Sequence, residues 1–350
     1  MFRPNILAMS AYAPGEQPRG GGVVKLNTNE NPYPPSPRVA EAVAAAAAGL
    51  QRYPDPTAAA FREAAAEALR PDNADITPDW VLCGNGSDDI LTIATRAFVG
   101  GGEAVRYAWP SYSLYRTLAE IQGARQEVVP FEPDWSLGYE FATPSDGVRL
   151  VYLANPNSPS GTMLEPGEVA AIADSLDCPV LVDEAYVDFA ETNCLDLVRT
   201  NERVMVSRTL SKSYALAGLR FGYVVAQPQV IAELAKVKDS YNCDALSIAG
   251  AAAAIADQPW LADNVAKVIA ERERLGRGLR DRGFQTTDSR ANFVWATHPG
   301  ADHEAVYGRL REAGVLIRYL RHPGWVGGDD GVRFSVGTPE QTDLLLSLLA

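Results

Sequence analysis

Lys212 is the residue of this chain best suited to carry chemistry. It stands between two serines in Thr209–Tyr223, TLSKSYALAGLRFGY, directly after the apolar run RVMVSRTL and before a segment expected to be compact and helix-like. Arg220 follows eight residues on, with Gly218 and Gly222 on either side. A lone ammonium at a strand end is poorly placed for a solvated face. Desolvation and neighbouring cations depress an amine pKa and make the amine a nucleophile toward carbonyls. Beside it, Thr209 and Ser211 are neutral donors and Arg220 is a planar fork, a set that can grip a phosphate.

Three further stretches carry usable chemistry. GNGSDD (Gly84 to Asp89) lies between an apolar run and an amphipathic one, so backbone N–H groups at a helix start can face an anion. It is neither a Walker A loop nor a G-x-G-x-x-G fingerprint, because position 89 is Asp. As a plain helix start it would use Ser87 or Asp88 as a cap. VLVDEAYVDF ends an apolar run in Asp183 and Glu184, with the Tyr186 hydroxyl close behind. A buried acid there needs a cation or a protonated ring, whereas a solvated pair opening a helix needs neither. NPNSPSG (Asn155 to Gly161) is a rigid turn that can hold an amide against a pocket or serve as an ordinary loop. These pieces suggest one ligand: an aldehyde for Lys212, a phosphate for the glycine loop with Thr209, Ser211 and Arg220, and a basic ring nitrogen for Asp183. Pyridoxal 5′-phosphate has these three groups.

The elements that must position these residues are legible from periodicity. Short β-branched runs alternate with amphipathic stretches from about residue 80 to residue 226, which predicts a mostly parallel sheet covered on both faces. In such sheets ligands sit at the carboxyl ends of strands, where all four stretches fall. From about residue 246 a long helical stretch, interrupted near Pro259, leads into ANFVWAT, HEAVYGRLREAG, VLIRYLR and GVRFSVG, a smaller α+β unit. The division expected is a large cofactor-binding domain over 31–245, a small domain over 246–350, and a segment 1–30 that packs on the small domain or over the site. The alanine-rich tracts EAVAAAAAGL and GAAAAIA suit helices.

Composition removes several alternatives. A formal charge of −13 disfavours nucleic acid and anionic membrane surfaces as partners. No apolar run approaches a membrane span, and the first twenty residues lack a signal-peptide pattern. Four scattered cysteines without C-x-x-C suit reduced thiols of a cytoplasmic protein. His298 and His303 read as solvated loop histidines, so no metal is expected.

The ordered set LNTNENPYPPSP, RYPDP, GNGSDD, WPSYSLY, NPNSPSG, DEAY, TLSKSYALAGLRFGY, ANF and VRFSVGT resembles the histidinol-phosphate aminotransferase family of fold-type I pyridoxal-phosphate enzymes. The resemblance implies that Lys212 holds the cofactor as a Schiff base and moves a proton at the substrate α-carbon. It implies that Asp183 pairs with the ring nitrogen, Tyr186 donates to the ring hydroxyl and Tyr112 stacks on the ring. Ser87, Asp88, Thr209, Ser211 and Arg220 would hold the phosphate, joined across a homodimer interface by Tyr53 of the other subunit. Arg333 would bind the α-carboxylate of an amino donor or keto acid, and Arg318 the phosphate of histidinol phosphate. One departure is Ser158, where the family often has asparagine before the second proline; the ring-hydroxyl contact then falls to Asn157 or partly to Ser158. The implied activity is a ping-pong transamination between histidinol phosphate and 2-oxoglutarate. An aromatic or other amino-acid aminotransferase, a decarboxylase of a phosphorylated amino acid, and a cofactor-binding regulator remain open on the same motifs.

Overall fold

The computed structural model describes residues 1–10, 15–18, 22–70, 73 and 75–349. In chain order the strands are β1 (Val24–Lys25), β2 (Val81–Gly84), β3 (Ala104–Trp109), β4 (Arg125–Pro130), β5 (Val148–Ala154), β6 (Val180–Asp183) and β7 (Val204–Thr209). They continue with β8 (Gly222–Val225), β9 (Gln285–Thr286), β10 (Phe293–Thr297), β11 (Val315–Leu316), β12 (Arg318–Arg321) and β13 (Asp330–Ser335).

One sheet of seven strands has the order β2-β8-β7-β6-β5-β3-β4. Its pairs from β7 to β4 are parallel, while β8 runs antiparallel to both β7 and β2. Strands β2, β6 and β8 are buried along their whole length, as a sheet covered on both faces requires. The edge strand β4 instead exposes Arg125 and Gln126, and a charged edge discourages further pairing. Because β2, β3, β5, β6 and β7 run the same way, their carboxyl ends share one rim.

Helices 37–47 and 245–255 are the two alanine-rich tracts, and they pack on each other. A Cβ added at Gly250 would lie 2.9 Å from Leu219 and 3.1 Å from Val43, so small side chains set how closely these elements approach. Ile248, Ala251 and Ala254 share a core with Val39, Phe61 and Val206 of the large unit. One helix ends and the next begins between Ile255 and Gln258. There Pro259 occupies the first turn of the next helix, Gln258–Arg280, where its missing N–H costs nothing. That helix contributes Val268, Leu275 and Leu279 to a second core with Val294, Val332 and Phe334. The second core lies on the antiparallel sheet β12-β13-β10-β9.

The opening segment touches both units. Residues 11–14 and 19–21 of it lie outside the described residues. Arg3 Nη2 and Asn5 Nδ2 donate to the carbonyls of Ile121 and Glu120, at 2.9 and 2.7 Å, in the large unit. β1 pairs in parallel with β11, and Leu26 joins the second core. The chain then crosses between the units through residues 27–31. Among the described residues no helix is long and apolar enough to cross a membrane.

Candidate active site

At the end of β2 the chain turns through Gly86 (φ 82°) into the helix Ser87–Phe98, which has no side-chain cap. Its first N–H groups have no partner within the helix and face the rim, at the positive end of the helix dipole. Two glycines permit this. A Cβ at Gly86 would lie 2.6 Å from Arg220 Nη2, and one at Gly222 would lie 2.5 Å from the Ser87 nitrogen. Across the turn, Thr209 Oγ1 donates to Ser211 Oγ at 3.0 Å and Arg220 Nη1 approaches the same oxygen at 3.4 Å, leaving the Ser211 proton to donate elsewhere. Arg220 itself sits at φ 55°, a left-handed conformation that costs a side-chain-bearing residue on the order of 1 kcal/mol or more. The helix expected after Lys212 is absent. Residues 210–219 form turns, with Ala215 also left-handed at φ 59°, and these turns bring Arg220 back to Ser211. The carboxylate of Asp88 accepts from Tyr112 Oη (3.0 Å) and lies 3.4 Å from Arg220 Nη2. It is an acceptor, so only the Asp88 backbone N–H can serve an anion.

Asp183 and Glu184 are both buried, which sets aside the solvated-pair reading. They are adjacent in the chain but serve different partners. Glu184 is engaged by the Arg208 fork at 2.9 and 2.8 Å and by the Cys194 backbone N–H. Asp183 lines the cavity and accepts from the hydroxyls of Tyr115 at 2.8 Å and Ser207 at 3.2 Å and from the Ala185 backbone N–H, with no cation among these partners. Burial pushes its carboxyl up to about 6, only partly offset by the Tyr115 hydrogen bond. Sequence reasoning missed Tyr115, a buried phenol stacked on Tyr152 at 4.7 Å. Its position three residues beyond Tyr112 was the available signal.

Lys212 Nζ donates to the Thr28 carbonyl at 3.2 Å and lies 5.7 Å from the Tyr186 ring. Tyr112 meets Tyr115 edge-on at 5.7 Å and lines the same cavity. On β12 and β13, Arg318 and Arg333 are directly opposed. Like charges in that register repel unless an anion lies near them. Arg333 Nη1 donates to Ser158 Oγ (2.9 Å), Nη2 to the Asn27 carbonyl (3.1 Å), and its guanidinium lies 5.2 Å from the Phe293 ring.

These groups line one cavity of about 470 Å³ between the two units. Lys212, Arg116, Arg220, Arg318, Arg321 and Arg333 face Glu30, Asp88 and Asp183, an excess of positive charge in a strongly acidic chain. Ser158 lines the cavity; Asn157 does not. The Asn157 amide donates to the Pro110 carbonyl (3.1 Å) and Ser160 Oγ (2.9 Å) and accepts from Ser111 (2.8 Å), so it braces the wall from behind. Tyr53 is also outside the cavity, exposed and stacked on Tyr241 at 4.6 Å. His303 is not a loop histidine. It opens the helix His303–Glu312, is buried, bonds Asp330 at 2.8 Å through Nδ1 and accepts from the His298 backbone N–H at 2.8 Å through Nε2.

An anion cradle, a buried carboxylate, a phenol and an amine on one rim of this sheet define a cofactor-dependent group-transfer site. Residues 21–349 match the model of the family described as aminotransferase class I and II, and the chain belongs to that family. It is 54% identical to the histidinol-phosphate aminotransferase of Rhodopirellula baltica, over 99% of this chain and 94% of that one. Identity to histidinol-phosphate aminotransferase 1 of Trichormus variabilis is 44%, over 99% and 97%. The crystal structure of histidinol-phosphate aminotransferase from Sinorhizobium meliloti in complex with pyridoxal-5′-phosphate superposes with a TM-score of 0.88 at 28% identity, covering 99% of this chain and 96% of that one.

Proposed function

We propose that this chain transfers the amino group between L-histidinol phosphate and 2-oxoglutarate with pyridoxal 5′-phosphate as cofactor. The residues fit that cofactor. The cradle suits an anion, and Asp183, raised by burial and bonded only by neutral donors among the described residues, suits a cation such as a protonated ring nitrogen. When bound, the cofactor supplies an aldehyde that accepts the amino group and a ring that withdraws electrons.

The chain's own groups do the rest. The N–H groups of Ser87 and Asp88, with Thr209, Ser211 and Arg220, hold the phosphate ester. Asp183 keeps the ring nitrogen protonated, and Tyr115 and Ser207 aim its carboxylate. Tyr112 covers one ring face, Tyr186 donates to the ring hydroxyl, and Ser158 takes the contact on that side of the wall. Lys212 Nζ would hold the cofactor's aldehyde carbon and, once displaced by the substrate amine, would serve as the base that moves the proton at the substrate α-carbon. Arg333 grips the carboxylate of glutamate or 2-oxoglutarate, and Arg318 the phosphate of histidinol phosphate.

The observation that carries the substrate reading is the opposed Arg318–Arg333 pair across the cavity from the cradle. It provides a second anion site, for a substrate with a phosphate or carboxylate next to the amine-bearing carbon. Steady-state kinetics with L-histidinol phosphate and with unphosphorylated L-histidinol test it. Arg318→Ala lowers kcat/KM for the phosphate ester about 10- to 100-fold, the worth of one charged hydrogen bond, and leaves that for histidinol nearly unchanged. Equal losses on both substrates contradict the assignment.

A homodimer and a cytoplasmic location belong to the same reading. What supports the dimer reading is that Tyr53 is exposed and lies outside its own cavity, so a role for it would be in a partner's cradle. Buried, unpaired thiols at Cys83, Cys178, Cys194 and Cys243 suit a reducing compartment.

A further inference from the structure

The segment Asn27–Asn31 contacts three of the cavity's functional side chains, Arg333, Lys212 and Tyr186. The Asn27 carbonyl accepts from Arg333 (3.1 Å), the Thr28 carbonyl from Lys212 Nζ (3.2 Å), and Asn29 Nδ2 donates to Tyr186 Oη (3.0 Å). Asn31 Nδ2 donates to the backbone carbonyls of Lys212 and Ser213, both at 3.0 Å. This segment lies far from those residues in sequence and follows directly on the pairing of β1 with β11.

Asn29 is the tightest point. It is buried and left-handed at φ 55°. All four of its polar groups are used. Its N–H donates to Ser335 Oγ (2.9 Å), its carbonyl accepts from Asn292 (3.0 Å), and Ser335 Oγ returns its own proton to Asn29 Oδ1 (3.0 Å). With the Ser335 hydroxyl donating to the amide oxygen, the amide nitrogen is the atom turned to Tyr186. A phenol oxygen that accepts from Asn29 keeps its own proton for the cavity and donates it more strongly.

We infer that Asn29 is a positioning residue that aims the Tyr186 hydroxyl proton at the ring oxygen of the bound cofactor. The inference rests on the reading of Tyr186 as the donor to that oxygen. A hydroxyl donating there stabilises the oxygen as an anion, so the cofactor's proton is lost at lower pH; weakening the donor raises the midpoint.

The test is the pH titration of the visible absorbance of the cofactor-loaded protein, with no substrate present. Tyr186→Phe moves the midpoint upward. Asn29→Gly, which tolerates the left-handed backbone, moves it upward by about one pH unit, a tenfold change of the size one hydrogen bond gives. Asn29→Asp, whose oxygen accepts the phenol proton and draws it out of the cavity, moves it as far as Tyr186→Phe. In the Tyr186→Phe background, Asn29→Gly adds nothing, because its effect passes through the phenol. Two results overturn the inference while leaving Tyr186 as donor: a wild-type midpoint for Asn29→Gly, or an equal shift from Asn29→Gly with and without the phenol. An unmoved midpoint in Tyr186→Phe removes the reading of Tyr186 and the inference with it.

Discussion

Asp183 is a carboxylate whose surroundings ask for a cation. Because burial raises it from 3.8 to about 6, the folded cofactor-free protein holds this proton more tightly than the unfolded chain does. Its contribution to stability is therefore present below 3.8 and lost as the pH rises through about 6, on the order of 3 kcal/mol over that window. Urea denaturation of the cofactor-free protein should show wild type losing that much between these pH values relative to Asp183→Asn. A flat difference between the two proteins contradicts the burial argument. In the loaded protein a protonated ring removes the loss. At this scale the sequence exposed the residue types that matter, since lysine, arginine and acid at strand ends have few inexpensive alternatives. It could not say which of Asn157 and Ser158 faces inward, because both sit in one tight turn and only tertiary contacts choose. Tyr115 and Asn29 stayed hidden for a similar reason, as their partners, Asp183 and Tyr186, are distant in the chain.

The elements place these residues through close backbone approaches. The start of the helix Ser87–Phe98 rests on Gly222 of β8, where a Cβ would meet the Ser87 nitrogen at 2.5 Å. Gly222→Ala must push that turn away, and overpacking of this kind costs about 1–3 kcal/mol. The displaced groups are those proposed to hold the phosphate, so the cofactor dissociation constant should rise about tenfold or more in a fluorescence titration. Unchanged affinity would mean that the cradle does not depend on this approach. Alternating β-branched and amphipathic runs made the large sheet legible, and the turn at Pro259 was legible from proline chemistry. Two features were not. The segment after Lys212 looks helical by composition, but it forms turns that return Arg220 to Ser211. The helix Ala245–Ile255 belongs to the large unit because its alanine face fits that of Pro37–Ala47, a match that no single window of sequence displays.

For the whole molecule, charge is the organising quantity. A chain of net charge −13 gathers six lysine and arginine side chains around one cavity, which sets the ligands as anions while the outer surface stays acidic. The proposed dimer gives a further expectation. Sedimentation should return about twice the chain mass of 37.6 kDa, and Tyr53→Ala should weaken cofactor binding although Tyr53 lies outside the cavity of its own chain. A monomer that binds cofactor normally rules out the shared site. The central claim is amino transfer from histidinol phosphate, and a single half-reaction tests it most directly. Protein loaded with pyridoxal 5′-phosphate is mixed with L-histidinol phosphate, without any keto acid, and its visible spectrum is followed. The account predicts that the yellow absorbance is lost and that 2-oxoglutarate restores it. A spectrum that stays yellow, while glutamate bleaches it, would contradict the substrate assignment.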